Sequence, residues 1–131
     1  MSAAALALAC TAAIAALHAR AERPDATDWR QIVALYQVML QSHPSPVIAL
    51  NCAVAVAMNG DVEAGLAQVD ALSETLDEYY LWHAARADLL RRLSRREEAH
   101  RAYEAAWQRT SNRAERRFLE KRLLEVGAPG H

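Results

Sequence analysis

His18, Cys52 and Arg86 follow one another at a constant 34-residue interval and form a column of side chains that could do chemistry. Lining one groove, the histidine and the arginine would receive a carboxylate or an acidic peptide. They can equally bond helix-end carbonyls or neighbouring acids. Asn51 sits beside the column, in a stretch that reads as helix interior, where asparagine is disfavoured. Its amide needs a partner, either an extended peptide's backbone or a buried carbonyl of the preceding loop. Catalytic patterns do not appear. The five histidines (His18, His43, His83, His100 and His131) show no HExxH spacing, no serine sits in a nucleophile elbow, and no glycine-rich phosphate loop occurs. Cys10 and Cys52 form no CxxC pair, which argues against zinc and redox motifs and suits reduced cytosolic thiols. We therefore expect no enzyme, no cofactor and no metal.

The elements that position this column repeat with it. Ala19, Ala53 and Ala87 keep the same 34-residue step, as do Leu35, Val69 and Tyr103. This is the spacing of a tetratricopeptide repeat, a helix–turn–helix unit that buries its apolar face only by stacking on copies of itself. Ala99, Tyr103 and Ala106 give the second helix of the last repeat a small–large–small pattern, which becomes Gly65, Val69 and Leu72 one step back and Gln31, Leu35 and Val38 two steps back. A further step puts Lys121 at the small position, as a capping helix with a polar outer face would. The chain has 131 residues, 53% apolar and only 6% aromatic, rich in alanine and leucine, which suits one all-helical domain.

Punctuation places seven helices. The first runs from about Ala3 to Ala21, ahead of Pro24. The second starts at Thr27 or Asp28, with Asp28 and Gln31 at capping-box spacing, and reaches Ser42. Ser45 and Pro46 open the third and Gly60 follows it; Asp61 opens a fourth that runs to about Ser73. The fifth spans about Glu78 to Leu93, the sixth Arg96 to Arg109, and Ser111 or Asn112 opens a seventh that fades at Gly127. We expect a right-handed, tetratricopeptide-like stack of three hairpins and a cap in a single domain over residues 1–126, with 127–131 frayed.

Net charge is −1, yet residues 1–78 carry three arginines against nine acids and residues 79–131 carry twelve bases against seven acids. A basic half can contact nucleic acid. Alternatively its bases form solvated pairs with Glu97, Glu98, Glu104, Glu115, Glu120 and Glu125 at helical spacings, and we expect no sequence-specific nucleic-acid binding. The opening MSAAALALACTAAIAAL has no preceding base, as a secretory leader requires, and is too short and alanine-rich to cross a bilayer, so a cytoplasmic protein without membrane contact is expected.

Several strings together resemble the tetratricopeptide-containing C-terminal extension of one subgroup of bacterial extracytoplasmic-function RNA polymerase sigma factors. They are AAIAALHA at 12–19, TDWRQIVALY at 27–36, PSPVIALN at 44–51, AVAVA at 53–57, ARADLLRRL at 85–93, and Asn112, Glu115, Arg116, Phe118 and Leu119. The chain departs from that family where arginine is usual at Cys52 and glycine common at Ser94. It looks like the extension alone, without the promoter-reading domains. The resemblance implies a regulatory module that docks on sigma domains or RNA polymerase; a free-standing adaptor for an unrelated peptide or protein is the alternative.

In tetratricopeptide proteins the first helix of each pair builds the concave face, which here would carry Arg20, Leu50, Val54, Ala84, Asp88 and Arg91. With the column, this gives His18, Arg20, Leu50, Asn51, Val54, Arg86, Asp88 and Arg91 as partner-binding candidates. Trp29 reads as a core anchor. Leu6, Leu8, Ile14 and Leu17 lie on a first helix with no preceding cover, so a homodimer through that helix, or fraying of it, is expected. Tyr103 fills the large column of the best-matched repeat. Tyr103→Ala should cost on the order of 3–5 kcal/mol by leaving a cavity, and Arg101→Ala far less; equal stability of the two in chemical denaturation would refute the register.

Overall fold

The structure, a computed structural model, describes residues 2–20 and 27–127, and only the backbone of Ala3 and Arg20. The loop around Pro24 and the residues beyond Gly127, expected to fray, lie outside the described residues, as does the side chain of Arg20. Seven helices and no strand occur among the described residues: α1 (Ala3–Arg20), α2 (Trp29–Ser42), α3 (Pro46–Met58), α4 (Val62–Asp70), α5 (Tyr80–Arg92), α6 (Arg96–Gln108) and α7 (Arg113–Val126). Each helix packs on the next in sequence order, and α3 also touches α5. No helix is long and apolar enough to cross a membrane among the described residues.

Side-chain caps set five of the helix starts; at the first, Ser2 Oγ accepts from the Ala5 amide at 3.1 Å. Asp28 Oδ1 accepts from the Gln31 amide at 3.2 Å while Gln31 Nε2 donates to Asp28 Oδ2 at 2.7 Å. Ser45 Oγ accepts from Ile48 at 3.4 Å with Pro46 in the first turn, Asp61 Oδ1 from Ala64 at 3.0 Å, and Asn112 Oδ1 from Glu115 at 2.9 Å. Each satisfies a backbone donor that the first turn leaves orphaned. The α4–α5 connection differs from expectation. Helix α4 stops at Asp70 rather than Ser73, residues 71–78 form turns, and α5 begins at Tyr80 without a side-chain cap. Leu76 turns into the core there, and the Trp82 indole donates to the Val69 carbonyl at 2.8 Å, closing the end of α4 from the following helix.

The 34-residue period is visible in the backbone itself. Gly60 and Ser94 occupy the same place in successive hairpin turns, and both are left-handed, with φ of 107° and 61°. Ser94 is therefore strained where glycine would be relaxed. In the columns, Ala53, Ala87, Gly65, Ala99, Val69 and Tyr103 are all buried. The first repeat departs from this: Ala19 and Gln31 are exposed and Leu35 is half-buried. Gln31 stands where later repeats have Gly65 and Ala99, so α1 and α2 cannot approach as closely, and a shallow apolar cleft of about 330 Å³ opens between them.

The close approach is tightest at Gly65. A Cβ there would lie 2.6 Å from Ala57 Cβ and 2.7 Å from the Ala53 carbonyl oxygen. Beyond it, one apolar cluster runs from α3 to α7 around Leu50, Leu66, Trp82, Leu89, Leu90, Tyr103 and Leu119. A second joins Cys10 and Ile14 of α1 to Ile32 and Met39 of α2 and Ala55 of α3. The first helix is thus not the bare cover expected from sequence: Ile14 is buried, Leu6 and Leu17 are half-buried, and only Leu8 of the four stands out, 73% exposed. The capping helix α7 also differs. Leu119 and Val126 seal the stack, but Leu124 is 84% and Phe118 46% exposed, so its outer face is not purely polar.

Two substitutions test this packing in urea denaturation. Gly65→Ala should lose roughly 1–3 kcal/mol, because the added methyl meets backbone, despite better helix propensity. Ser94→Gly should gain about 0.5–1 kcal/mol by relieving the left-handed serine, less the entropy glycine adds to the unfolded chain.

Candidate interaction surface

The column His18, Cys52 and Arg86 does not form one groove. His18 is exposed on α1 and packs edge-on against Trp29, with ring centroids 5.2 Å apart. Cys52 is buried, and burial pushes its thiol above the ordinary value, which keeps it protonated and unreactive. Arg86 on α5 reaches back to α4 and pairs with Asp70 at 2.8 Å. Asn51 is exposed on α3, and its side chain makes no hydrogen bond among the described residues.

The expected lining is likewise divided. Leu50 is 2% exposed and belongs to the core, so its side chain packs α3 and offers nothing to a partner. Val54 is half-buried against the same cluster. Asp88 and Arg91 do come together, with Arg91 Nη2 2.6 Å and Arg92 Nε 2.9 Å from the two carboxylate oxygens. Burial alone would raise the Asp88 carboxyl; the two guanidiniums overcome it and hold the group below its ordinary value. Arg91 Nε also donates to the Tyr103 hydroxyl at 3.3 Å, so the buried wedge tyrosine has a partner for its polar tip. This network binds α5 to α6 and occupies both oxygens of Asp88, with one guanidinium charge in excess. Trp29, read as an anchor, is half-buried against the α1–α2–α3 cluster.

Elsewhere the basic half only partly follows the pairing expected of it. Glu98 pairs with Arg95 at 2.8 Å and Glu125 with Arg122 at 2.6 Å. Glu115 instead accepts from the Thr110 hydroxyl at 2.6 Å. Arg116 lies 4.0 Å from the centre of the Trp107 ring, a cation–π contact, and donates to the Thr110 carbonyl. Among the described residues no group of three or more His, Cys, Asp or Glu is placed to hold a metal ion.

One titratable group escaped the sequence reading. His83 is the buried polar side chain of the core, 6% exposed, and its Nε2 lies 2.6 Å from the Asp77 carbonyl. Arg109 Nε donates to the same carbonyl at 2.6 Å, so one oxygen ties the α4–α5 turn to α5 and to the end of α6. Its position one residue after Trp82 on an apolar face was the available signal. Bonded to backbone, it latches the α4–α5 turn to α5.

A protein of Rhizobium meliloti (strain 1021), itself uncharacterised, is 45% identical over 117 residues, covering 89% of this chain and 28% of its own length. The chain thus spans little more than a quarter of the curated relative it matches. No family model matches the chain, and no solved structure matches it.

Burial holds His83 below its ordinary 6.5, the carbonyl bond to Asp77 offsets this in part, and the nearby Arg109 and Arg86 add to the lowering. A depressed folded value means that stability is complete above about pH 6.5 and is lost as pH falls through the folded value. The denaturation midpoint should therefore drop as pH falls below about 6.5, and His83→Gln should flatten that drop. An unchanged slope in the variant would show that another group carries it.

Proposed function

We propose that the chain is a non-catalytic interaction module of an extracytoplasmic-function-type sigma factor, acting in the cytoplasm by docking on sigma domains or RNA polymerase and so modulating transcription initiation. The observation that carries an interaction role is the near-full exposure of a leucine on each terminal helix, Leu8 on α1 at 73% and Leu124 on α7 at 84%, whereas the most exposed large apolar side chain of the central helices, Leu81, reaches only 48%. The alignment with little more than a quarter of a longer relative supports a modular reading. The strings that resemble the sigma-factor extension also fall on structural determinants. TDWRQI contains the Asp28 cap, PSPV the Ser45–Pro46 start, and ALNCAVAVA most of α3. The left-handed Ser94 sits where that family commonly has glycine.

Immobilised chain should retain core RNA polymerase, or the sigma domains encoded beside it, and should alter transcript yield when added to a reconstituted initiation assay. Retention of neither, with no effect on transcripts, would overturn the sigma-factor reading in favour of a separate adaptor.

A further inference from the structure

Successive repeats bring the same two positions together, sixteen residues apart, where the second helix of one hairpin meets the first helix of the next. Tyr36, half-buried, and Cys52, buried, hold these positions at the α2–α3 junction. At α4–α5 they are Asp70 and Arg86, an ion pair at 2.8 Å. At α6–α7 they are Glu104 and Glu120, two carboxylates lining a cleft of about 340 Å³ with Trp107 and Leu123. An adjoining cleft of about 430 Å³ shares Glu120 and Leu123 and adds Leu124, the most exposed of the large apolar side chains described.

Among the described residues neither carboxylate pairs with an arginine: Glu120 Oε1 accepts from the Trp107 indole, at 3.4 Å, and Glu104 Oε1 lies 2.8 Å from His100 Nδ1 in a geometry that makes no hydrogen bond. This holds in a half of the chain with twelve bases against seven acids. Asp88, Glu98 and Glu125 are paired with arginines and Glu115 with Thr110. The remaining acids are Glu104, Glu120 and Glu97, and Glu97, seven residues before Glu104, stands on the same side of α6.

We propose that the α6–α7 cleft is a docking site for an amphipathic helix of a partner protein, which places a lysine or arginine between Glu104 and Glu120 and leucine-type side chains on Leu123 and Leu124. The partner cation would then hold the place that Arg86 holds one repeat earlier. Opposite charge at the rim sets register, and the apolar wall takes the helix's apolar stripe. A second copy is a poorer occupant. Its α1 has no charged residue from Ser2 to Ala19. Inserting its α7 would bring Arg113, Arg117 and Lys121 of both copies against one another. The inference rests on the interaction-module reading and names the chemistry of the partner.

The test uses the whole chain and two labelled synthetic helical peptides about 18 residues long, with leucines at i, i+3, i+4 and i+7 and either lysine or glutamate elsewhere. Fluorescence anisotropy should show the Leu/Lys peptide binding at least about tenfold more tightly than the Leu/Glu peptide. Glu120→Lys and Leu124→Asp, both at exposed positions and checked for folding by circular dichroism, should each weaken binding about tenfold. Gln37→Lys, at an exposed position on α2, four helices before α6 in the stack, should change it less than about twofold. Equal binding of the two peptides, no binding of the Leu/Lys peptide, or indifference to Leu124→Asp would overturn the proposal. So would sedimentation showing a dimer that Leu124→Asp dissociates, since a second copy would then be the occupant. Chain that fails these tests yet retains polymerase or sigma domains refutes the cleft alone, whereas peptide binding without such retention refutes the sigma-factor reading alone.

Discussion

The absence of a side chain at Gly65 is the constraint on which the stack depends. With a hydrogen in place of a methyl, α4 comes down onto the backbone of α3 at Ala53 and Ala57, and a Cβ would stand 2.6 Å from its nearest neighbour. Helix α3 carries no charged residue and is buried on two sides, Leu50, Ala53 and Ala57 in the larger cluster and Ala55 in the smaller. It is the wall shared by both cores. A helix apolar all round is stable only between neighbours, so the contact that seats α4 on α3 also gives α2 and α1 a surface to rest on.

Much of this was legible because the determinants are local or periodic. The caps at Asp28, Ser45, Asp61 and Asn112 need only a short side chain one turn before a free amide, which sequence displays directly. The small–large–small columns were readable for the same reason, since equal spacing imposes equal packing where residues are equal in size. Where size changed, the reading failed. Gln31 in a small position opens the first hairpin, and no period foretells how far. The end of α4 was misplaced because Trp82, a residue of the next helix, takes the Val69 carbonyl.

The candidate site was less legible than the fold. Sharing a column fixes a residue's place on its own helix but not what the adjacent helix puts opposite. Cys52 is buried between α3 and its neighbours, whereas Arg86 meets Asp70, so one column yields a buried thiol and a partly exposed ion pair. Leu50 was assigned to a lining by its helix and is core by its neighbours. The informative unit proves to be the pair of columns sixteen residues apart, and it becomes visible only once the stack shows which helices touch.

That pair of columns also connects stability to recognition. An acid and an arginine across α4 and α5 add only modestly to stability when this exposed, and replacing them by two carboxylates at the last junction weakens the stack by a similarly modest amount. Tyr103, Leu119 and Val126 hold α6 and α7 together independently of those carboxylates. Because the apolar contacts carry the junction, its rim charges are free to vary without unfolding the end of the chain. The last junction can therefore keep two carboxylates that no described arginine meets beside Leu124, the most exposed of the large apolar side chains described.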